Sequence, residues 1–128
     1  MTTLERDEKS MSKYCPESER VKREYAFHLE TANGKQMATI GATLRAIEAF
    51  ETSTNFKPFR KFHVAQVRSF RARLSEALNA QGKPLSAATI TSTLKNLHNF
   101  FLWLSREPGY RSAINANDAN DANYFHAL

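Results

Sequence analysis

Apolar positions recur at helical spacing in four separate stretches of this 128-residue chain. The sharpest runs from Ser86 to Ser105, SAATITSTLKNLHNFFLWLS, where Ile90, Leu94, Leu97, Phe101 and Leu104 follow steps of four, three, four and three. Those steps put the five side chains on one stripe of an α-helix. The opposite side carries Ala88, Ser92, Lys95 and Asn99, with Thr89 and Asn96 beside them. Ser86 stands where an N-cap is needed, a contribution of about 1 kcal/mol. The predicted helix has one core face and one face of small, uncharged or cationic groups. Such groups can hydrogen-bond to base edges or phosphates. An ordinary solvated face is the competing reading.

Three more helices are expected. From Pro16 to Ala32, the residues Val21, Tyr25, His28, Leu29 and Ala32 keep helical spacing, and Asn33-Gly34 supplies a left-handed stop. A second helix covers about Met37 to Thr52. Its inner stripe is Ile40, Leu44, Ile47 and either Phe50 or Glu51, with Phe50 the better fit. Its outer side near the start shows Thr39, Ala42 and Thr43. A third covers His63 to Ala80, with Val64, Val67, Phe70, Leu74 and Leu78 as the buried stripe. Gln81-Gly82-Lys83-Pro84 then forms a turn, because glycine closes a helix and proline blocks its continuation.

The connecting segments divide the chain. Residues 1–16 are charged and aperiodic, a flexible lead-in. Residues 17–110 form the helical domain. Pro108-Gly109 breaks the fourth helix, and residues 111–128, containing NANDANDAN, are expected to be an exposed linker. The fold class that follows is all-α, a small bundle of four main helices. Between the second and third helices, Phe56, Phe59 and Phe62 alternate with Lys57, Arg60 and Lys61. Aromatics and cations in alternation can stack bases. The favoured reading has the rings capping the core and the cations facing out.

Charge changes the picture more than composition does. Net charge is +5, but residues 52–106 hold nine Lys or Arg against Glu76 alone. Residues 1–30 hold six cations against seven acids and are nearly neutral. A concentrated excess of this kind attracts polyanions, and nucleic acid is the expected partner. Lys57, Arg60, Lys61, Arg68, Arg71, Lys83 and Lys95 are the candidate phosphate contacts. No run approaches the ~20 apolar residues of a membrane span. The N-terminus lacks a signal-peptide core, so a soluble, cytoplasmic protein without membrane partners is expected.

Little suggests chemistry. Cys15 is the single cysteine, and four scattered histidines give no metal-ligand spacing, so no metal or cofactor is expected. The basic region has one acid, which leaves no carboxylate pair there, and no phosphate-cradling glycine motif or nucleophile elbow occurs. The chain itself is read as non-catalytic, with no small-molecule substrate.

The order of elements resembles a known family. A mixed-charge helix, then ATIGATLRAIEAFE, FHVAQVRSFRARL, GKPLSAATITSTLKNLHNFFLWLS and a PGYRS exit resemble the N-terminal core-binding part of tyrosine-type site-specific recombinases, the phage integrase family. The resemblance covers roughly Glu17 to Ser112. It implies a SAM-like helical bundle that clamps double-stranded DNA, with catalysis in a separate C-terminal domain and self-association on DNA through the parent recombinase. It also implies that the second and fourth helices face the major groove. That assigns Thr39, Ala42 and Thr43 on one, and Ala88, Thr89, Ser92, Lys95 and Asn96 on the other, with Asn99 on the same periodic face. Ala42 and Ala88 are too short to read bases by hydrogen bonds, so phosphate contacts would dominate. The alternatives are a helical protein-interaction module, using Trp103 or the Phe56–Phe62 loop, and a non-catalytic regulator of recombination.

Overall fold

The structure, a computed structural model, describes residues 15–120 and Phe125. The lead-in before Cys15 lies outside the described residues. The fold is all-α. Its main helices are α1 (Pro16–Thr31), α2 (Met37–Ser53), α3 (Val64–Glu76) and α4 (Ala87–Leu104), followed by a short α5 (Ala116–Asn120). A single 3-10 turn, Phe59–Lys61, separates α2 from α3. No β-strand occurs among the described residues; one isolated bridge joins Leu78 to Pro84. The chain divides into two compact units, residues 1–59 and 60–128.

In the first unit α1 packs on α2. Pro16 occupies the first turn of α1, where a missing N–H is not needed. Val21, Tyr25 and Leu29 turn inward from α1, and Ile40, Ala46, Ile47 and Phe50 from α2. Burial pushes the Tyr25 phenol up to about 12. The turn between the helices places Gly34 at φ +64°, the left-handed conformation that glycine adopts without a Cβ penalty.

Glu51 is also inside, with 1% of its surface exposed. The apolar pattern offered Phe50 or Glu51 for this side of α2, and the structure buries both. The Lys22 ammonium explains how. Its Nζ lies 2.6 Å from Glu51 Oε1 and 3.0 Å from Glu19 Oε1. A buried charge is tolerated when it is paired in this way. Burial pulls the Lys22 ammonium down, but hydrogen bonds to Glu51 and Glu19 outweigh it, and the net direction is upward. Burial likewise raises the Glu51 carboxyl, against the pull of Lys22.

The second unit is organised around α4, which packs on both α3 and α5. Leu94, Leu97, Phe101 and Leu104 of the expected stripe are buried, and Ile90 is half-buried. Phe100 joins them at 0% exposure, which widens the stripe. Its ring meets Phe101 edge-on at 5.1 Å and Trp103 at 6.2 Å, and Phe62 stacks on Phe101 at 4.0 Å. Burying a side chain of this size contributes roughly 1.5–3 kcal/mol. Val67, Phe70 and Leu74 complete the core from α3.

Helix α3 is shorter than its apolar spacing suggests. It ends at Glu76, and Ala77 turns extended with ψ 151°. Leu78, expected in the buried stripe, is 63% exposed. The competitor is a tight loop. Asn79 Oδ1 accepts the N–H groups of Gln81 and Lys83 at 2.9 and 3.0 Å, and Asn79 N–H donates to Lys83 O at 2.7 Å. Asparagine side chains that satisfy nearby backbone groups draw the chain out of a helix.

The stretch after Pro108 departs from the expected exposed linker. Of residues 111–128, Ile114, Ala119 and Phe125 are buried, at 5% exposure or less, as is Tyr110 just before them. Asn115 Oδ1 accepts the Asn117 N–H at 2.8 Å and so starts α5. Phe125 stacks on His98 at 4.6 Å.

Candidate nucleic-acid interface

The two units carry charge very differently. Residues 1–59 hold nine Lys or Arg and nine Asp or Glu, so they are neutral. Residues 60–128 hold nine Lys or Arg against four acids, which accounts for the whole +5. The positive field that a polyanion would meet originates in the unit containing α4.

Helix α4 presents the face that the spacing assigns to it. Ala88, Thr89, Ser92, Lys95 and Asn99 are exposed, and Asn96 is half-buried at the margin. The helix start is well fixed. Ser86 Oγ accepts the Thr89 N–H at 3.1 Å and donates to Thr89 Oγ1 at 2.9 Å. The Thr89 hydroxyl keeps acceptor capacity after that contact. A continuous exposed strip therefore runs from the capped N-terminus to the second half of the helix. It offers two hydroxyls, a carboxamide and one ammonium.

The cations of this unit differ in how much of their bonding capacity is already engaged. Lys61, Arg68, Lys83 and Lys95 are exposed, whereas Arg71 is half-buried. Arg60 is exposed but braces the turn that follows α4. Its Nη1 donates to Gly109 O at 3.2 Å, and its guanidinium lies 4.8 Å over the Tyr110 ring. Its role is at least partly structural, which the alternation of aromatics and cations did not reveal. Phe59 and Phe62 are buried, so neither forms an exposed stacking platform.

In the first unit, Thr39 and Lys57 are exposed and Ala42 is half-buried. Thr43 is corrected from the outer face to the inside. It is 5% exposed, and its hydroxyl donates to Thr39 O at 3.0 Å. A threonine can bury its hydroxyl in a helix by bonding the carbonyl four residues back, so its polarity misleads a face assignment. Among the described residues, and its chain neighbours and the helix backbone aside, the Arg45 guanidinium lies 3.4 Å from where a Cβ on Gly41 would stand.

Among the described residues, no group of three or more His, Cys, Asp or Glu could hold a metal ion. No described helix is long and apolar enough to cross a membrane. No family model, curated protein or solved structure matches this chain.

Proposed function

We propose that this chain binds double-stranded DNA as a SAM-like, N-terminal core-binding domain of a tyrosine recombinase of the phage integrase type, acting in DNA integration and site-specific recombination. The observation that carries the reading is the exposed face of α4. Ala88, Thr89, Ser92, Lys95 and Asn99 line it, on the unit that bears the entire net positive charge. Short side chains allow a helix to enter the major groove closely, and the lysines and arginines of the same unit supply phosphate contacts. Withdrawing Thr43 leaves Thr39 and Ala42 as the α2 candidates. The catalytic step belongs to a C-terminal domain in this reading, and no residue of this chain is assigned to it.

Fluorescence anisotropy with a labelled duplex, at increasing salt, tests the proposal. Each phosphate neutralised steepens the log–log salt dependence by ~0.9. Lys95→Glu should weaken binding across sequences and flatten that slope. Salt-insensitive binding, or none at low salt, refutes the reading. The protein-interaction alternative draws less support: Phe59 and Phe62 are buried and Trp103 is half-buried.

A further inference from the structure

Asparagine followed by glycine is chemically fragile where the glycine nitrogen can reach the asparagine side chain. Asn33-Gly34 is the one such pair in the chain. Both residues are exposed, in the turn between α1 and α2. Among the described residues, and its two chain neighbours aside, a Cβ built on Gly34 would meet nothing within 4 Å. The hydrogen bonds that close the turn pass it by: Ala32 N–H donates to His28 O and Lys35 N–H to Leu29 O, both at 2.9 Å. No backbone hydrogen bond among the described residues engages the Gly34 N–H.

Other asparagines are restrained. Asn96 and Asn99 lie inside α4, whose helical hydrogen bonds hold the following N–H groups. The N–H after Asn55 is bonded to Glu51 O at 2.8 Å. The side-chain oxygens of Asn79 and Asn115 each accept backbone N–H groups.

We propose that Asn33 is a site of spontaneous conversion to aspartate and isoaspartate, independent of any DNA binding. The Gly34 nitrogen gives up its proton and attacks Asn33 Cγ. The new N–Cγ bond forms as the Cγ–Nδ2 bond breaks, and the amide nitrogen leaves as ammonia. Water then opens the five-membered imide at either carbonyl. One opening yields aspartate. The other routes the main chain through Cγ and yields isoaspartate. The sum is hydrolysis of an amide by one water, with no redox change. Either product puts a carboxylate at the C-terminal end of α1, where the helix dipole opposes negative charge. Isoaspartate also adds a methylene to the connection that sets α1 against α2.

The full-length protein is incubated at physiological temperature and mildly alkaline pH, and the tryptic peptide Glu24–Lys35 is followed by mass spectrometry. Isoaspartate is scored with an isoaspartyl carboxyl methyltransferase and labelled S-adenosylmethionine as the probe. Asn33 should convert on the order of tenfold faster than Asn55, Asn79, Asn96, Asn99 or Asn115, and Gly34→Ala should slow it by a similar factor, because a β-carbon shields the nitrogen. A rate no faster than at those other asparagines overturns the proposal. So does a rate in the folded protein far below that of a synthetic peptide with the same residues. Both readouts use the unaltered chain and stand even if the alanine variant folds poorly.

Discussion

Replacing Lys22 with methionine keeps the aliphatic stem and removes the only cation within ion-pair distance of Glu51 among the described residues. The Glu51 carboxylate, 1% exposed, is then left buried without its counter-charge. It can stay ionised, or it can take up a proton. The second route sets the ceiling on the penalty. A carboxyl with the ordinary value of 4.5 must be held neutral 2.5 units above it at pH 7, which costs about 3.4 kcal/mol at 1.36 kcal/mol per unit. Breaking buried ion pairs by removing one partner typically costs about 3–5 kcal/mol, the same range. The sign with pH follows from proton counting. Between pH 4.5 and its raised folded value, Glu51 binds more protons folded than unfolded, so stability falls as pH rises. Without Lys22 the carboxyl holds its proton to higher pH than in the parent, so the deficit of Lys22→Met should be largest at pH 7 and should shrink, by at most about 1.4 kcal/mol per unit, down to the pH at which the parent's own Glu51 takes up its proton. Urea denaturation of both proteins, followed by far-UV circular dichroism across that range, measures it. The double variant Lys22→Met, Glu51→Leu should recover most of the loss, since an apolar pair of similar volume is often no worse than the ion pair. A deficit below about 1 kcal/mol at pH 7, or one that does not change with pH, refutes the reasoning.

Three further outcomes are expected. Ser86→Ala removes the acceptor of the Thr89 N–H and should cost about 1 kcal/mol by denaturant titration, with Ser86→Asp largely retaining the cap. Ile114→Ala should cost about 2–5 kcal/mol, as for a core residue at 1% exposure, where an exposed linker position would change stability by less than about 0.5 kcal/mol. Raising pH above 10 should destabilise the first unit, because the Tyr25 phenol, pushed up to about 12, and the raised Lys22 ammonium both hold protons longer folded than unfolded; pH-jump circular dichroism should find Tyr25→Phe less sensitive in that window.

What was legible in the sequence depended on how local its cause was. Both ends of α1 and the start of α4 follow from Pro16, Asn33-Gly34 and Ser86, and each acts within a turn or two of the chain. The exposed face of α4 was legible for the same reason. Glu51 was legible only as the lesser alternative to Phe50, because its burial depends on a lysine 29 positions away. Leu78 kept the period of α3, yet Asn79 offered its backbone neighbours better partners than another helical turn. In NANDANDAN the polar letters outnumber Ala119, and the apolar anchors Ile114 and Phe125 lie just outside the repeat, so no window contains enough apolar residues to reveal the packing. Arg60 was assigned by charge alone, which cannot separate a phosphate contact from a guanidinium braced on Gly109 and Tyr110.

Trp103 is the single tryptophan, half-buried on α4 beside Phe100. Its emission therefore reports on residues 60–128, whereas the amide signal sums helices from both units. Coincident melting of the two signals identifies one cooperative transition, and separated midpoints identify two. A label-free optical reporter of one helix pair is thus built into the chain, and Lys22→Met, which strikes the other pair, is the perturbation to set against it.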